Sequence, residues 1–283
     1  MTKRRKREIA GWLFILPNFT GVMVFYLIPF VDVVRRSFMR AAGEGFAGLS
    51  NYNNVITNEA FRLAAFNTFR FVIVCLPLLL GLSLGIAVLL QKQKAGRQIF
   101  KSAYLVPLAI PAASMVLLWQ LLFDTHGMLN GVFAFFHISS SGKDWMNTDA
   151  AFVVLVFSYI WKNLGYDVVL WIAGLSGISK SIYEAAAVDG AGEFKSFIYI
   201  TLPNIRQTAF TIVIISFLNS FKVFREAYLV AGSYPHESIY LLQHVFNNWF
   251  SSLSVDKMAA GSVLLCMVVA VLVLLLQRSW ENK

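Results

Sequence analysis

Apolar residues along this chain come in blocks instead of alternating, and several blocks are long enough to cross a bilayer. The runs 71–91, 102–123 and 258–277 contain no Lys, Arg, Asp or Glu. The run 9–31 is similar, with Asn18 and Thr20 inside it, whereas 150–176 and 207–231 carry charges near their middles. Backbone in hydrocarbon must satisfy its own hydrogen bonds, so about 20 consecutive apolar residues read as a helix. The pattern therefore predicts an all-α membrane protein with six transmembrane helices and both termini on the same side. The loop 38–66 contains VITNEAFRLAAF, with a loose helical stripe of Val55, Ile56, Phe61, Leu63 and Phe66. It reads either as an amphipathic helix at the outer interface or as a packed connector.

Composition agrees with a bilayer as solvent. Of 283 residues, 58% are hydrophobic and 14% charged, too little polar surface for a soluble domain of this length. A net charge of +9 could fit nucleic acid, but the basic residues sit at segment ends and in short loops, not on one polar face. Their distribution orients the chain instead. The N-terminus (Lys3, Arg4, Arg5, Lys6, Arg7), loop 91–101 (Lys92, Lys94, Arg97, Lys101), loop 176–206 (Lys180, Lys195, Arg206) and the tail (Arg278, Lys283) hold fourteen. The alternate loops hold six: Arg35, Arg36, Arg40, Arg62, Lys143 and Lys257. This asymmetry predicts cytoplasmic termini, with Arg35 and Arg36 running against the rule. The first apolar stretch exceeds a signal-peptide core of about 7–15 residues and has no small-x-small cleavage site after it, so it reads as an uncleaved anchor. Cys75 and Cys266 lie inside apolar runs and read as reduced packing residues.

The chain carries no recognisable chemistry of its own. It lacks G-x-x-x-x-G-K-[ST]; the fragment SGKDW at 141–145 misses the first glycine and the hydroxyl residue. H-E-x-x-H and C-x-x-C are also missing. His126, His137, His236 and His244 fall in predicted outer loops without metal-ligand spacing. The expectation is a protein that is not an enzyme and binds no metal or cofactor, so that nucleotide chemistry comes from a partner chain.

One segment interrupts the apolar pattern. Residues 184–203, EAAAVDGAGEFKSFIYITLP, fall on the predicted cytoplasmic side. Residues 179–189 are rich in helix formers, with Ser179 or Ser181 as N-cap. Gly190 and Gly192 permit a sharp turn, a helical pattern resumes from Glu193, and Pro203 marks the first turn of the next membrane helix. The small side chains of Ala185 and Ala186 allow another surface to approach closely. The segment fits E-A-A-x3-G-x9-I-x-L-P without gaps at Glu184, Ala185, Ala186, Gly190, Ile200, Leu202 and Pro203. It thereby resembles the signature loop of permease subunits of binding-protein-dependent ABC importers. The stretches FILPNFTGVMVFYLIPFVDVVRRSF, LVPLAIPAASMVLLWQLLFDTHGMLN and FKVFREAYLVAG extend the likeness to the carbohydrate-uptake branch, the maltose and glycerol-phosphate type. AGSYPHES at 231–238 stands where that branch often has Gly-Gly-Pro.

The resemblance implies a type I ABC importer permease fold in the plasma or inner membrane of a prokaryote. Residues 1–65 would form an anchor helix with a short outer loop, and 66–283 a core of five transmembrane helices with the coupling loop 176–206. Glu184, Ala185, Ala186, Asp189, Gly190, Ile200, Leu202 and Pro203 would couple to an ATPase subunit dimer carrying ATP and Mg. The other implied partners are a second permease subunit, an extracytoplasmic solute-binding protein, a carbohydrate solute and the lipid bilayer, but no nucleic acid.

Within the bilayer, ionisable groups are costly and usually face a bundle interior or a watery cavity. Lys162 and Asp167 lie in the predicted fourth helix, and Lys222, Arg225 and Glu226 in the fifth. Around them run polar stripes at helical spacing, Tyr159, Asn163 and Tyr166 on one helix and Ser216, Asn219 and Ser220 on the other. Aromatic faces with hydrogen-bonding groups suit a polyhydroxylated solute, so Tyr159, Asn163, Tyr166, Asp167, Ser216, Asn219, Ser220 and Lys222 are candidates for its pathway. The same residues could equally tie helix to helix. Lys222 and Glu226, four apart, could neutralise each other. A self-contained ion-coupled secondary transporter or channel is the alternative reading.

Overall fold

The computed structural model describes residues 3–41, 45–92, 97–137 and 142–281. Lys94 of the basic loop 91–101 and Lys283 of the tail lie outside the described residues. Among the described residues the chain is nearly all helical: α1 (Lys3–Val22), α2 (Ile28–Ser37), α3 (Ser50–Thr57), α4 (Glu59–Lys92), α5 (Arg97–Ala109), α6 (Ala112–Phe123), α7 (Met128–Phe135), α8 (Ala150–Ser176), α9 (Lys180–Val188), α10 (Glu193–Ser196), α11 (Leu202–Asn204), α12 (Arg206–Ser220), α13 (Phe224–Ala231), α14 (Leu242–Ser251) and α15 (Val255–Glu281). Among the described residues five stretches are long and apolar enough to cross a membrane, and a sixth qualifies as a bent pair.

That pair corrects the expectation of an unbroken span at 102–123. The helix stops at Ala109 and restarts at Ala112, with a bend of 105°. Pro111 disfavours helical geometry at Ile110 and is itself extended, with φ −59° and ψ 145°. The outer loop is also shorter than 38–66. Asn58 divides VITNEAFRLAAF between two helices, its backbone extended and its Oδ1 accepting the Phe61 N–H at 2.9 Å, as an N-cap does. α4 then runs 34 residues without a break. At 1.5 Å per residue that is about 50 Å, well beyond the ~30 Å of hydrocarbon.

Two π turns interrupt otherwise regular helices, at Met23–Leu27 and Phe197–Thr201. Each ends two residues before a proline, Pro29 and Pro203. Proline has no N–H to donate and crowds the carbonyl four residues back, and a widened turn accommodates both effects.

The described chain forms two compact units. The first joins residues 1–62 to 246–283. In it α15 packs on α2 and α3, and Asn51 donates to the carbonyls of Ser37 and Met39 at 3.0 and 2.7 Å. Phe61 stacks on Trp249 with centroids 6.0 Å apart, and Gly261 is so close beneath that a Cβ there would meet the Phe246 ring at 2.8 Å.

The second unit, 63–245, holds the candidate site. Its centre is α8, which packs against α5 and α12. Glycines set the spacing. A Cβ on Gly165 would fall 1.8 Å from the Tyr104 carbonyl oxygen, and one on Gly174 would fall 2.5 Å from Thr208 Oγ1. Helices in lipid gain little from apolar contact with each other, so such small residues let backbones approach.

His244 corrects another expectation, since it lies in the helix α14 instead of a loop, where it is wholly buried. Its Nδ1 accepts the Leu241 N–H at 3.1 Å, and the Phe224 ring stands edge-on at 4.8 Å. Burial is the main cause that pushes its pKa down to about 4. Below pH 6.5 the unfolded chain takes up a proton that the native site refuses. Stability is therefore full above 6.5 and falls as pH drops toward 4, by roughly 3 kcal/mol in all. His244→Asn, which keeps an acceptor for Leu241, should flatten the melting temperature between pH 7 and pH 5. An unchanged pH slope would assign that loss to other groups.

Candidate functional site: a polar cavity and an exposed helical hairpin

The helical repeat on α8 brings Tyr159, Lys162, Asn163 and Tyr166 onto one face, at i, i+3, i+4 and i+7. Opposite them stand Asn219, Lys222 and Glu226, on the run from α12 through a 3₁₀ turn at Phe221–Val223 into α13. These side chains line a cavity of ≈ 370 Å³, together with Ser158 and the apolar Leu108, Met115, Ile215 and Val223.

Charge pairing differs from the local reading. Glu226 does not pair with Lys222; it forms an ion pair with Lys162 across the two helices. Lys222 Nζ donates instead to Asn219 Oδ1 at 2.8 Å, one helical turn back. Both members of the ion pair are largely buried, so each offsets the other's desolvation.

The eight residues expected along the pathway separate into two groups. Tyr159, Asn163, Tyr166, Asn219 and Lys222 line the cavity. Asp167, Ser216 and Ser220 do not, and are buried between helices. Ser216 Oγ donates to Asp167 Oδ2 at 2.8 Å, the Tyr159 hydroxyl donates to the Ser216 carbonyl at 2.8 Å, and Ser220 Oγ returns to the Phe217 carbonyl at 2.6 Å. The first two bonds fasten α8 to α12 behind the cavity wall, and the third stays within α12. Ser158 is legible by spacing, since Ser158, Lys162 and Tyr166 follow at four-residue steps; Leu108 and Met115 arrive from α5 and α6 and leave no local signal. The wall offers phenol, amide, hydroxyl and ammonium groups beside ring faces, a set suited to a hydroxylated solute.

The hairpin 180–204 is built at its turn. Gly190 has φ +76°, a conformation that side chains with a Cβ resist. The Gly190 N–H donates to the Ala187 carbonyl at 3.1 Å and the Ala191 N–H to the Ala186 carbonyl at 2.9 Å. These two bonds form a Schellman motif that satisfies the last carbonyls of α9. Ser179 stands at the N-cap position, but its hydroxyl meets that of Ser181 at 2.8 Å and makes no cap bond. The Tyr183 hydroxyl meets Thr201 Oγ1 at 2.9 Å and ties α9 to the returning π turn. Pro203 sits in the short α11, and the membrane helix begins only at Arg206. Glu184, Ala185, Asp189, Gly190, Leu202 and Pro203 are exposed, and Ala186 and Ile200 are half-buried. Large apolar side chains project beside them: Val188, Phe194 and Tyr199 are 88%, 77% and 76% exposed.

A bundle of membrane-crossing helices around a polar cavity, with a structured polar hairpin between two of its spans, defines a membrane transport permease. Residues 77–281 match the family described as binding-protein-dependent transport system inner membrane component, and the chain belongs to that family. It is 31% identical over 243 residues to the trehalose/maltose transport system permease protein MalF of Thermococcus litoralis, covering 83% of this chain and 81% of the relative. It is 30% identical over 228 residues to the arabinooligosaccharides transport system permease protein AraP of Bacillus subtilis, covering 79% and 72%. The sn-glycerol-3-phosphate transport system permease protein UgpA of Yersinia pestis is 26% identical across 96% of this chain and 94% of its own. In fold, the chain matches the crystal structure of a bacterial ABC transporter involved in import of the acidic polysaccharide alginate. The TM-score is 0.86, with 19% identity, over 99% of this chain and 98% of the other.

Proposed function

We propose that this chain is one of two permease subunits of an ABC importer and carries a carbohydrate, an oligosaccharide in particular, across the plasma membrane of a prokaryote. The observation that carries the reading is the hairpin 180–204, whose Schellman turn holds Glu184, Ala185 and Asp189 in the open beside uncovered Val188, Phe194 and Tyr199. Exposed apolar side chains on a well-built polar hairpin mark a surface for a partner. That partner is an ATPase subunit, which binds ATP and Mg, and the basic asymmetry of the sequence puts hairpin and termini on its cytoplasmic side.

The carbohydrate assignment rests on the tyrosines and amides of the cavity and on relatives named for trehalose, maltose and arabinooligosaccharides. Tyr159, Asn163, Tyr166, Asn219 and Lys222 contact the solute, which an extracytoplasmic binding protein delivers. Closure of the ATPase pair on ATP then exchanges inward- and outward-facing states.

Purification of the tagged chain from its native membranes should bring an ATPase and a second permease with it. Uptake should stop on ATP depletion with the ion gradient intact. Arrival alone, with uptake that follows the ion gradient, would replace this reading by a secondary transporter.

A further inference from the structure

Arg35 and Arg36 oppose the charge asymmetry that orients the chain, and transport gives them no task. In the first unit they lie in the last turn of α2, where cations are favoured by the helix dipole. With Asp32, Arg40 and the opening residues of α15, Val255 and Asp256, they line a cavity of ≈ 130 Å³. Asp32 holds Arg36 through Nε at 2.6 Å and Arg35 at 3.7 Å. A guanidinium held through Nε keeps its terminal N–H groups as donors. Among the described residues Arg40 has no carboxylate partner, so three guanidiniums face two carboxylates around the cavity.

Asp256 adds a second, independent demand. Its Oδ1 is buried and makes no hydrogen bond, although the residue lines the cavity. An inorganic phosphate would serve the arginines and leave the Asp256 carboxylate, which has no ion-pair partner among the described residues, unanswered. A ligand carrying both a phosphate and an N–H cation answers both.

The location narrows the source. α2 ends the apolar span Gly11–Ser37, and Phe30 and Val31 just before the cavity are exposed. The end of a spanning helix lies at the depth of lipid headgroups. The cavity volume is several times one water's share of about 30 Å³, enough for a compact headgroup and too small for a sugar chain. We propose that this cavity is a phospholipid headgroup site: Arg35, Arg36 and Arg40 take the phosphate and Asp256 takes a primary ammonium, which is the chemistry of phosphoethanolamine.

The full chain, purified in detergent, is equilibrated with mixed micelles of equal parts phosphatidylethanolamine, phosphatidylglycerol and phosphatidylcholine, and retained lipid is counted by native mass spectrometry. Phosphatidylethanolamine should be enriched over both others, since glycerol brings no cation and choline brings a cation without N–H. Arg40→Gln and Asp256→Asn should each lower its retention about tenfold, the loss of one charge-assisted hydrogen bond. Should Arg40→Gln fail to fold, Asp256→Asn alone decides. Equal retention of the three lipids, or retention indifferent to the substitution, overturns the proposal. Saturable binding of soluble phosphoethanolamine that the lipid does not compete away overturns the membrane source.

Discussion

Gly190→Pro should abolish uptake while the protein still inserts into the membrane at normal levels. At φ +76° the position excludes proline, whose ring holds φ near −65°, and proline also deletes the N–H that donates to Ala187. The Schellman turn is then lost, and α9, which carries Glu184 to Val188, no longer meets α10 at a defined angle. A graded series separates geometry from the mere presence of glycine. Gly190→Ala strains the turn by about 1–2 kcal/mol and should give partial uptake. Gly190→Asn, which tolerates the left-handed region, should stay near wild type. Uptake of a radiolabelled sugar, with ATPase activity measured in parallel, makes the distinction: basal hydrolysis persists in the proline variant but loses its response to loaded binding protein. Normal uptake in Gly190→Pro would remove the coupling role from the hairpin.

The Lys162–Glu226 pair should show the second large effect. Lys162→Met or Glu226→Gln alone strands one charge in a largely buried place, and breaking a buried pair costs about 3–5 kcal/mol. The low end applies, because Lys162 retains 21% exposure beside an open cavity. The double variant strands nothing and should recover most of the loss. Melting temperatures of the four proteins in one detergent complete the cycle. Additive losses would mean that the two side chains do not stabilise one another. Lys222→Met should be milder, since its Nζ is exposed and bonded to a neutral amide.

Much of this architecture is legible in the sequence, for identifiable physical reasons. The apolar runs announce the spans because hydrocarbon admits no alternative to helix over such lengths. The hairpin is legible because its chemistry is local: helix formers, then Gly190, then the return to Pro203. The polar stripe on α8 follows from the 3.6-residue repeat, which is why Tyr159, Asn163 and Tyr166 group together by spacing and again in the cavity wall.

What escapes the sequence depends on distance or on competing local signals. Glu226 finds Lys162 across 64 residues of chain, whereas the nearer Lys222 offers a plausible partner at i−4. Asp167 and Ser216 look like pathway groups by spacing, yet they bond to one another between helices, and spacing does not say which side of a polar stripe faces a neighbour. Pro111 marks the break in the sequence itself, but the hydropathy of the flanking residues carries the expected span straight through it. Gly165 and Gly174 reveal nothing alone; their purpose appears only when Tyr104 and Thr208 are in place.

The 3₁₀ turn at Phe221–Val223 has a mechanical consequence. From Thr201, tied to Tyr183 in the hairpin, the chain passes through α11 into α12, a stiff rod clasped to α8 at Gly174 and again at Asp167. A torque applied to such a rod is delivered where its stiffness first drops, and that is the tighter, less well-bonded turn between Asn219 and Glu226. The most compliant point of the rod is therefore part of the cavity wall itself. A small rotation at one end would be spent on repositioning Asn219, Lys222 and Glu226 relative to the fixed face of α8.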